Sequence, residues 1–120
     1  MVKKILIVDD EPDIMDVATT RLKYSGYDVI PAVDAEEAIA YLEKDICDLI
    51  LLDVVLPKMH GDELCKMLKH SDKYENIPVV LFTASAMNVA NVAEQAGADD
   101  YITKPFDPRE LLGKIKRLIG

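Results

Sequence analysis

Three uninterrupted apolar runs constrain the fold of this chain more than any other feature of its sequence. They occupy residues 5–8, 49–52 and 79–82. Runs that are apolar on both faces are typical of strands buried in a parallel sheet. The segments that follow them carry apolar residues at helical spacing, and Gly26 and Gly97 are placed to end two of these helices. This pattern predicts a βα unit repeated along the chain, hence an α/β fold with helices on both faces of one parallel sheet.

Shorter elements complete the alternation. Residues 28–31 and 100–102 predict brief strands. Asp34 and Glu37 have the spacing of a capping box ahead of a helix, and Asp107 is placed to cap the last helix. We therefore expect five strands and five helices.

Length and charge narrow the class of protein. At 120 residues the chain is expected to form one domain, residues 1–120. The composition, 50% hydrophobic and 30% charged, is typical of a soluble globular protein. A formal net charge of −8 argues against general binding to nucleic acid or to an anionic membrane. The early acids at residues 9–10 argue against a signal peptide, and Cys47 and Cys65 are expected to be reduced thiols, so we expect a cytoplasmic location.

Chemically useful side chains follow the predicted strands. Ligands of such folds bind outside the carboxyl ends of the strands, near the point where the strand order reverses. Asp9 and Asp10 follow the first strand, Asp53 ends the third, Thr83 ends the fourth and Lys104 follows the fifth. Carboxylates crowded at one edge repel one another unless a cation intervenes. Because Mg²⁺ prefers oxygen ligands, these acids predict a magnesium site.

This set of residues also suits phosphoryl transfer. A carboxylate such as Asp53 can act as a nucleophile and form an aspartyl phosphate. The reaction needs mainly positioning and neutralisation of the phosphoryl oxygens. The Thr83 hydroxyl, the Lys104 ammonium and a metal ion would supply that neutralisation.

Each residue alone has an ordinary explanation. Asp9 and Asp10 could be a solvated loop and helix cap, and Asp53 could be a turn former. Thr83 could be simply a strand residue, and Lys104 a surface lysine. The combination at successive strand ends favours a functional site.

At these positions the sequence resembles the receiver domain of two-component response regulators, such as the chemotaxis regulator CheY. The matching segments are residues 5–12, residues 48–53 with Leu56, Pro57, Met59 and Gly61, residues 83–84, and residues 97–106. The resemblance covers essentially the whole chain. It implies a doubly wound, flavodoxin-like fold with five parallel strands in the order 2-1-3-4-5 and five helices.

The resemblance implies a role for each residue of the acidic site. Asp53 would be the phosphoacceptor, receiving the group from a kinase's phosphohistidine. Asp10 and Asp53 would ligate Mg²⁺ directly, together with the backbone carbonyl of Val55, and Asp9 would act through a metal-bound water. Lys104 would pair with the phosphate, and the peptide bond from Lys104 to Pro105 would be cis.

Further residues would sense the phosphate. The amides of Val55 and Ala84 would contact phosphoryl oxygens. Thr83 would move to bond the phosphate and Tyr101 would turn inward behind it, a population shift between two states. Val55 and Ser85 occupy positions that tune the lifetime of the phosphoryl group in the family. Since Val55 cannot hydrogen-bond a water, our hypothesis is that hydrolysis depends on access past Val55 and Ser85.

The resemblance also implies partners. These are a sensor histidine kinase or phosphotransfer protein, and a downstream protein or output domain reached through the surface of the fourth helix, fifth strand and last helix. We expect that the protein is not a turnover enzyme and that it binds neither nucleic acid nor membranes directly. We expect it to be a monomer or a weak dimer.

Three other classes of protein would use some of the same features. A phosphatase of the haloacid-dehalogenase type also has an Asp nucleophile, but that family has an Asp-x-Asp arrangement after the first strand and a cap domain. In this chain Asp9 and Asp10 are adjacent. A flavin electron carrier on the same fold would need a phosphate-binding loop rich in Ser, Thr and Gly after the first strand, where this chain has acids. A receiver with a degenerate site would act only as a scaffold, against which the intact set of acids, Thr83 and Lys104 argues.

The fourth helix region is uncharged over residues 86–93. It could be an ordinary Ala-rich helix, or a docking surface rimmed by Glu94, Asp99 and Lys114. Related receivers joined to DNA-binding domains commonly dimerise through basic residues on this helix, which are absent here. Asp100 and Lys114 could still form one pair between copies.

Overall fold

The computed structural model describes residues 2–83 and 89–120, and within them strands and helices alternate along the chain. The strands are β1 (Lys4–Val8), β2 (Asp28–Ala32), β3 (Leu49–Asp53), β4 (Val79–Thr83) and β5 (Asp100–Thr103). The helices are α1 (Pro12–Tyr24), α2 (Ala35–Lys44), α3 (Gly61–Lys69), α4 (Val89–Ala96) and α5 (Pro108–Ile119).

All strand pairs are parallel, and the strand order is β2-β1-β3-β4-β5. This confirms the predicted doubly wound α/β fold. The order reverses between β1 and β3, which are direct neighbours, with Val8 beside Leu52. The residues that follow β1 and β3 therefore lie side by side at the carboxyl end of the two central strands, where ligands of such folds bind.

The apolar runs of the central strands supply both faces of the sheet. Alternate residues, such as Leu6 and Leu52, pack under α2, α3 and α4, while the others, such as Ile7 and Leu51, pack under α1 and α5. All four of these side chains are fully buried. Since burial of a Leu or Ile side chain contributes roughly 1.5–3 kcal/mol, this double core stabilises the sheet whose carboxyl end carries the site.

The helix starts behave largely as predicted. Asp34 Oδ1 accepts a hydrogen bond of 2.8 Å from the Glu37 amide, and Glu37 Oε1 accepts one of 2.9 Å from the Val33 amide. Asp107 Oδ1 accepts a hydrogen bond of 2.8 Å from the Arg109 amide. Gly26, just beyond α1, adopts φ of +97°, a conformation that favours glycine. These caps fix where α2 and α5 begin and where α1 ends.

Both cysteines are buried free thiols. Burial raises the pKa of Cys47 and of Cys65 to about 11, so both stay protonated at neutral pH. Cys65 faces the core and its thiol lies 3.5 Å from the Ala96 carbonyl oxygen. They are therefore structural residues, not nucleophiles. Within the described ranges, no helix has the length and apolar character needed to cross a bilayer.

Candidate functional site

Asp9, Asp10 and Asp53 come together at the carboxyl end of the sheet. Each offers a carboxylate oxygen, and these atoms all lie within 4.8 Å of one another. Asp9 and Asp53 are buried, whereas Asp10 is exposed. The proximity follows from the fold, because Asp9 follows β1, and Asp53 ends the neighbouring strand β3.

Backbone hydrogen bonds hold the strand ends in place. The Asp9 amide donates to the Ala32 carbonyl at 3.0 Å, which extends the pairing of β1 with β2. The Lys104 amide donates to the Thr83 carbonyl at 2.8 Å, which extends the pairing of β4 with β5. Asp9 and Lys104 are thus fixed by the sheet itself, although both lie beyond the strands.

Asp9 and Asp53 are held by equivalent turns. Asp9 Oδ1 accepts a hydrogen bond of 3.0 Å from the Glu11 amide, and Asp53 Oδ1 accepts one of 3.0 Å from the Val55 amide. In each case the donor lies two residues further along the chain, as in an Asx turn. One oxygen of each carboxylate is thereby occupied, and the other is directed at Lys104.

Lys104 joins the acids of the site. Its Nζ donates to Asp53 Oδ2 at 2.9 Å and to Glu11 Oε1 at 2.8 Å, and forms an ion pair with Asp9 Oδ2 at 3.1 Å. The ammonium also lies 4.7 Å from the centre of the Phe82 ring. Burial alone would lower the pKa of Lys104, but the hydrogen bonds to Glu11 and Asp53 raise that pKa above its usual value. Lys104 is therefore a fixed positive charge.

One carboxylate oxygen of Asp9 has an ion-pair partner but no hydrogen bond among the described residues. Burial raises the pKa of Asp9, while the Glu11 amide and Lys104 oppose that rise. Asp9 Oδ2 is buried and, among the described residues, receives the Lys104 ion pair but no hydrogen bond. A buried carboxylate oxygen in this state is satisfied by a hard cation or by a metal-bound water. The oxygen donors of Asp9, Asp10 and Asp53 thus fit Mg²⁺.

The loop between β3 and α3 approaches the site through glycine. The Gly61 amide donates to the Val54 carbonyl at 2.8 Å, and a Cβ built on Gly61 would lie 1.9 Å from the Asp53 carbonyl oxygen. Lys58 in the same loop has φ of +69°. Only glycine fits against the backbone of Asp53, which gives a physical reason for the glycine that the resemblance had matched.

The remaining predicted residues lie on β4 or β5, or outside the described part. Thr83 is buried at the end of β4. Tyr101 is exposed, with Lys114 Nζ 5.6 Å from the centre of its ring. The peptide bond from Lys104 to Pro105 is cis, as expected. Ala84, expected to contact phosphate, and Ser85 lie outside the described residues.

Charged side chains near α4 form ion pairs within the chain. Asp99 is exposed, and it accepts hydrogen bonds from Lys69 Nζ at 2.7 Å and from the Val79 amide at 2.8 Å, so it ties α3 to the sheet. Asp100 pairs within the chain, with Lys114 at 3.1 Å and with Arg117. Asp100 and Lys114, which could form one pair between copies, are paired with each other inside one chain.

Sequence reasoning missed two contacts of the site. Glu11 belongs to a matching segment but has no role assigned from sequence, although it binds Lys104 across a separation of 93 residues. Phe82 is expected only as a core residue, although its ring lies beneath the Lys104 ammonium. The register that pairs Phe82 with Asp53 could have placed the ring near the site, but no sequence signal points to Glu11.

Comparisons with known proteins agree with this geometry. A family model of the response regulator receiver domain matches residues 5–116. The alkaline phosphatase synthesis transcriptional regulatory protein PhoP of Bacillus subtilis (strain 168) is 45% identical over 120 residues, which cover 99% of this chain and 49% of that protein. The chain thus spans about half the length of the curated relatives it matches.

Solved structures share the whole fold. The chemotaxis response regulator CheY4 of Vibrio cholerae has a TM-score of 0.90 and 31% identity, covering 98% of this chain and 99% of that one. The receiver domain of a sensor histidine kinase from Pseudomonas aeruginosa PAO1 has a TM-score of 0.91 and 30% identity, covering 100% and 99%. That structure is described with a magnesium ion coordinated in its active site cleft. The chain belongs to the response regulator receiver domains, the CheY-like signalling modules of two-component systems that bind Mg²⁺ at an acidic site.

Proposed function

We propose that this receiver domain is a switch controlled by phosphorylation of Asp53. The observation that carries the proposal is the setting of the Asp53 carboxylate. Its side chain is 3% exposed, with Oδ1 held by the Val55 amide and Oδ2 held by Lys104. A buried carboxylate so oriented is prepared to act as a nucleophile, because its geometry is fixed before a donor arrives.

The transfer forms one bond and breaks another. A carboxylate oxygen of Asp53 forms the new bond to phosphorus while the bond from phosphorus to the donor's imidazole nitrogen breaks, and the nitrogen keeps the electron pair. Lys104, the Thr83 hydroxyl and the amides of Val55 and Ala84 neutralise the phosphoryl oxygens. Little else is needed, since phosphoryl transfer depends mainly on positioning and charge.

Magnesium would be held by the acids of the site. Asp10, Asp53 and the Val55 carbonyl would bind the ion directly, and Asp9 would act through a metal-bound water. The ion would supply positive charge beside the phosphoryl oxygens, which the nearby carboxylates otherwise repel. Asp9 Oδ2 is buried and has the Lys104 ion pair but no hydrogen bond among the described residues, which supports this assignment.

Phosphorylation would be read out through Thr83 and Tyr101. Thr83 bonds the phosphoryl group and Tyr101, exposed in this structure, turns inward behind it. This shift alters the surface formed by α4, β5 and α5, which controls a partner protein or an output domain. The contacts that favour the shifted state exist only with the phosphoryl group present, as a population shift requires.

The partners follow from the family. A sensor histidine kinase or phosphotransfer protein supplies the phosphoryl group, in the cytoplasm, and the domain catalyses only its own phosphorylation and dephosphorylation. The domain itself contacts neither nucleic acid nor membrane, which its net charge of −8 supports. It acts as a monomer or weak dimer, since α4 lacks the basic residues of dimerising relatives.

Phosphorylation of purified protein tests the proposal. Incubation with Mg²⁺ and acetyl phosphate should add one phosphoryl group to the wild type, measured by intact mass, and none to Asp53→Asn. Asp72→Asn, which removes an exposed acid outside the site, should behave as the wild type. If Asp53→Asn is labelled like the wild type, Asp53 is not the acceptor.

A further inference from the structure

Lys104 has one carboxylate partner that differs from the others. The side chains of Asp9, Asp53 and Lys104 are 0%, 3% and 5% exposed, respectively, so this trio is fixed by packing. The side chain of Glu11 is 56% exposed, yet its Oε1 lies 2.8 Å from Lys104 Nζ. Glu11 is therefore the partner that can leave Lys104 without disturbing the core.

A phosphoryl group on Asp53 would need a hydrogen bond from the Lys104 ammonium. Lysine has three donors, and the Lys104 ammonium already has three carboxylate partners: hydrogen bonds to Asp53 and Glu11, and an ion pair with Asp9. A phosphoryl oxygen would therefore have to replace one of them. Asp9 and Asp53 cannot withdraw because they are held by the Glu11 and Val55 amides. The donor used by Glu11 is the one that can be released to a phosphoryl oxygen.

We propose that Glu11 is a positioning residue that holds Lys104 over Asp53 and competes with the phosphoryl group for it. The proposal rests on the phosphorylation of Asp53. The negative charge of Glu11 has opposite effects on the two ligands of the site: it attracts the metal cation and repels the phosphoryl anion. Glu11 thus sets the balance between Mg²⁺ affinity and phosphoryl affinity.

The backbone of Glu11 permits a clean test. Its amide donates to Asp9 and its carbonyl accepts from the Met15 amide at 3.0 Å, and both contacts survive a change of side chain. Glu11 is the N-cap of α1, but its side chain forms no capping hydrogen bond with the described helix start. Glu11→Gln therefore removes the charge while leaving the start of α1 intact.

The test measures the two affinities separately in the 120-residue receiver domain. Mg²⁺ affinity is measured by calorimetry without beryllofluoride, and beryllofluoride affinity by ¹⁹F NMR at saturating Mg²⁺. For Glu11→Gln we expect Mg²⁺ to bind about two- to fivefold more weakly and beryllofluoride about two- to fivefold more tightly. Glu11→Asp keeps the charge but shortens the reach, so it should tighten beryllofluoride binding with little change for Mg²⁺.

Asp13→Asn is the matched control. Asp13 is an exposed acid in the first turn of α1 that makes none of the three ion pairs with Lys104. Both affinities should move less in this variant than in Glu11→Gln. If the role of Glu11 were purely structural, Glu11→Gln would weaken the binding of both Mg²⁺ and beryllofluoride.

The outcomes separate this proposal from the one on which it rests. If the wild type binds beryllofluoride and Glu11→Gln shifts both affinities in the same direction, or neither, the role of Glu11 is refuted while Asp53 stands as acceptor. If the wild type does not bind beryllofluoride at all, phosphorylation of Asp53 is refuted and the role of Glu11 with it.

Discussion

Gly61 lies directly against the backbone of Asp53, so that a Cβ at position 61 would come within 1.9 Å of the Asp53 carbonyl oxygen. Gly61→Ala must therefore displace either α3 or Asp53. We expect it to lower the free energy of unfolding by about 1–3 kcal/mol, as overpacking does, and to weaken beryllofluoride binding. Urea denaturation and ¹⁹F NMR measure the two effects.

Gly113→Ala is the control for this substitution. Gly113 lies inside α5, is exposed, and has no atom within 4 Å of its built Cβ. The same change there should stabilise the fold by about 0.5–1 kcal/mol, because alanine favours helix over glycine. If both variants are equally stable and bind beryllofluoride alike, the contact between Gly61 and Asp53 has no consequence.

Magnesium should stabilise the fold through Asp10. The carboxylates of Asp9, Asp10 and Asp53 repel one another, and a bound cation relieves that repulsion. Binding at about 100 times Kd would add about 2.7 kcal/mol to the stability. We expect Mg²⁺ to raise the melting temperature of the wild type and Asp10→Ala to abolish the rise.

Asp72→Ala provides the comparison for Asp10→Ala, because it removes an exposed acid away from the site. Its melting temperature should rise with Mg²⁺ as the wild type's does. An equal rise in Asp10→Ala would show that the ion acts elsewhere on the surface.

The exposed side chain of Val55 should govern the lifetime of the phosphoryl group. Val55 is 61% exposed and its amide binds Asp53 Oδ1, so its side chain can change without disturbing the core. Val55→Asn supplies groups that can orient a water by hydrogen bonds. We expect it to dephosphorylate several-fold faster, measured as loss of labelled phosphate.

Val55→Ala separates access from hydrogen bonding. It opens the approach to Asp53 without adding a polar group, so its lifetime should fall between those of the wild type and Val55→Asn. Three equal lifetimes would contradict the hypothesis that position 55 controls hydrolysis.

The fold and the core of the site could be predicted from the sequence because both follow from short-range patterns. Apolar runs define the strands, and the rule for open α/β sheets then brings Asp9, Asp53 and Lys104 to one edge. Because the strands are parallel and their order is set by the fold, the position of each strand end in the sheet is also set. The backbone positions of these residues therefore follow from the strand order.

Contacts that depend on the path of one side chain were not predictable in this way. The bond from Glu11 to Lys104 depends on the path of a long, exposed side chain. The bonds of Asp99 to Lys69 and to the Val79 amide depend on the packing of α3 against the sheet edge. Helical or strand periodicity carries no signal for either contact, so charges near α4 that the sequence leaves free are already engaged in the structure.

Metal-free stability should fall with rising pH because of Asp9. Burial raises the pKa of Asp9 above its ordinary 3.8, so the native state binds its proton more tightly than the unfolded chain. The stabilisation from this protonation is complete below the unfolded pKa and is lost as pH rises through the higher folded pKa. Asp9→Asn keeps an oxygen acceptor for the Glu11 amide but does not titrate.

The measurement is the difference in unfolding free energy between Asp9→Asn and the wild type as pH rises, without Mg²⁺. We expect Asp9→Asn to become more stable relative to the wild type as pH rises, because only the wild type must then bury a charged carboxylate at position 9. Asp45→Asn should show the opposite slope: the hydrogen bond from Lys4 lowers the pKa of Asp45, so the wild-type advantage is present above the unfolded pKa and lost on acidification. Parallel slopes in the two variants would show that Asp9 is not destabilised by burial.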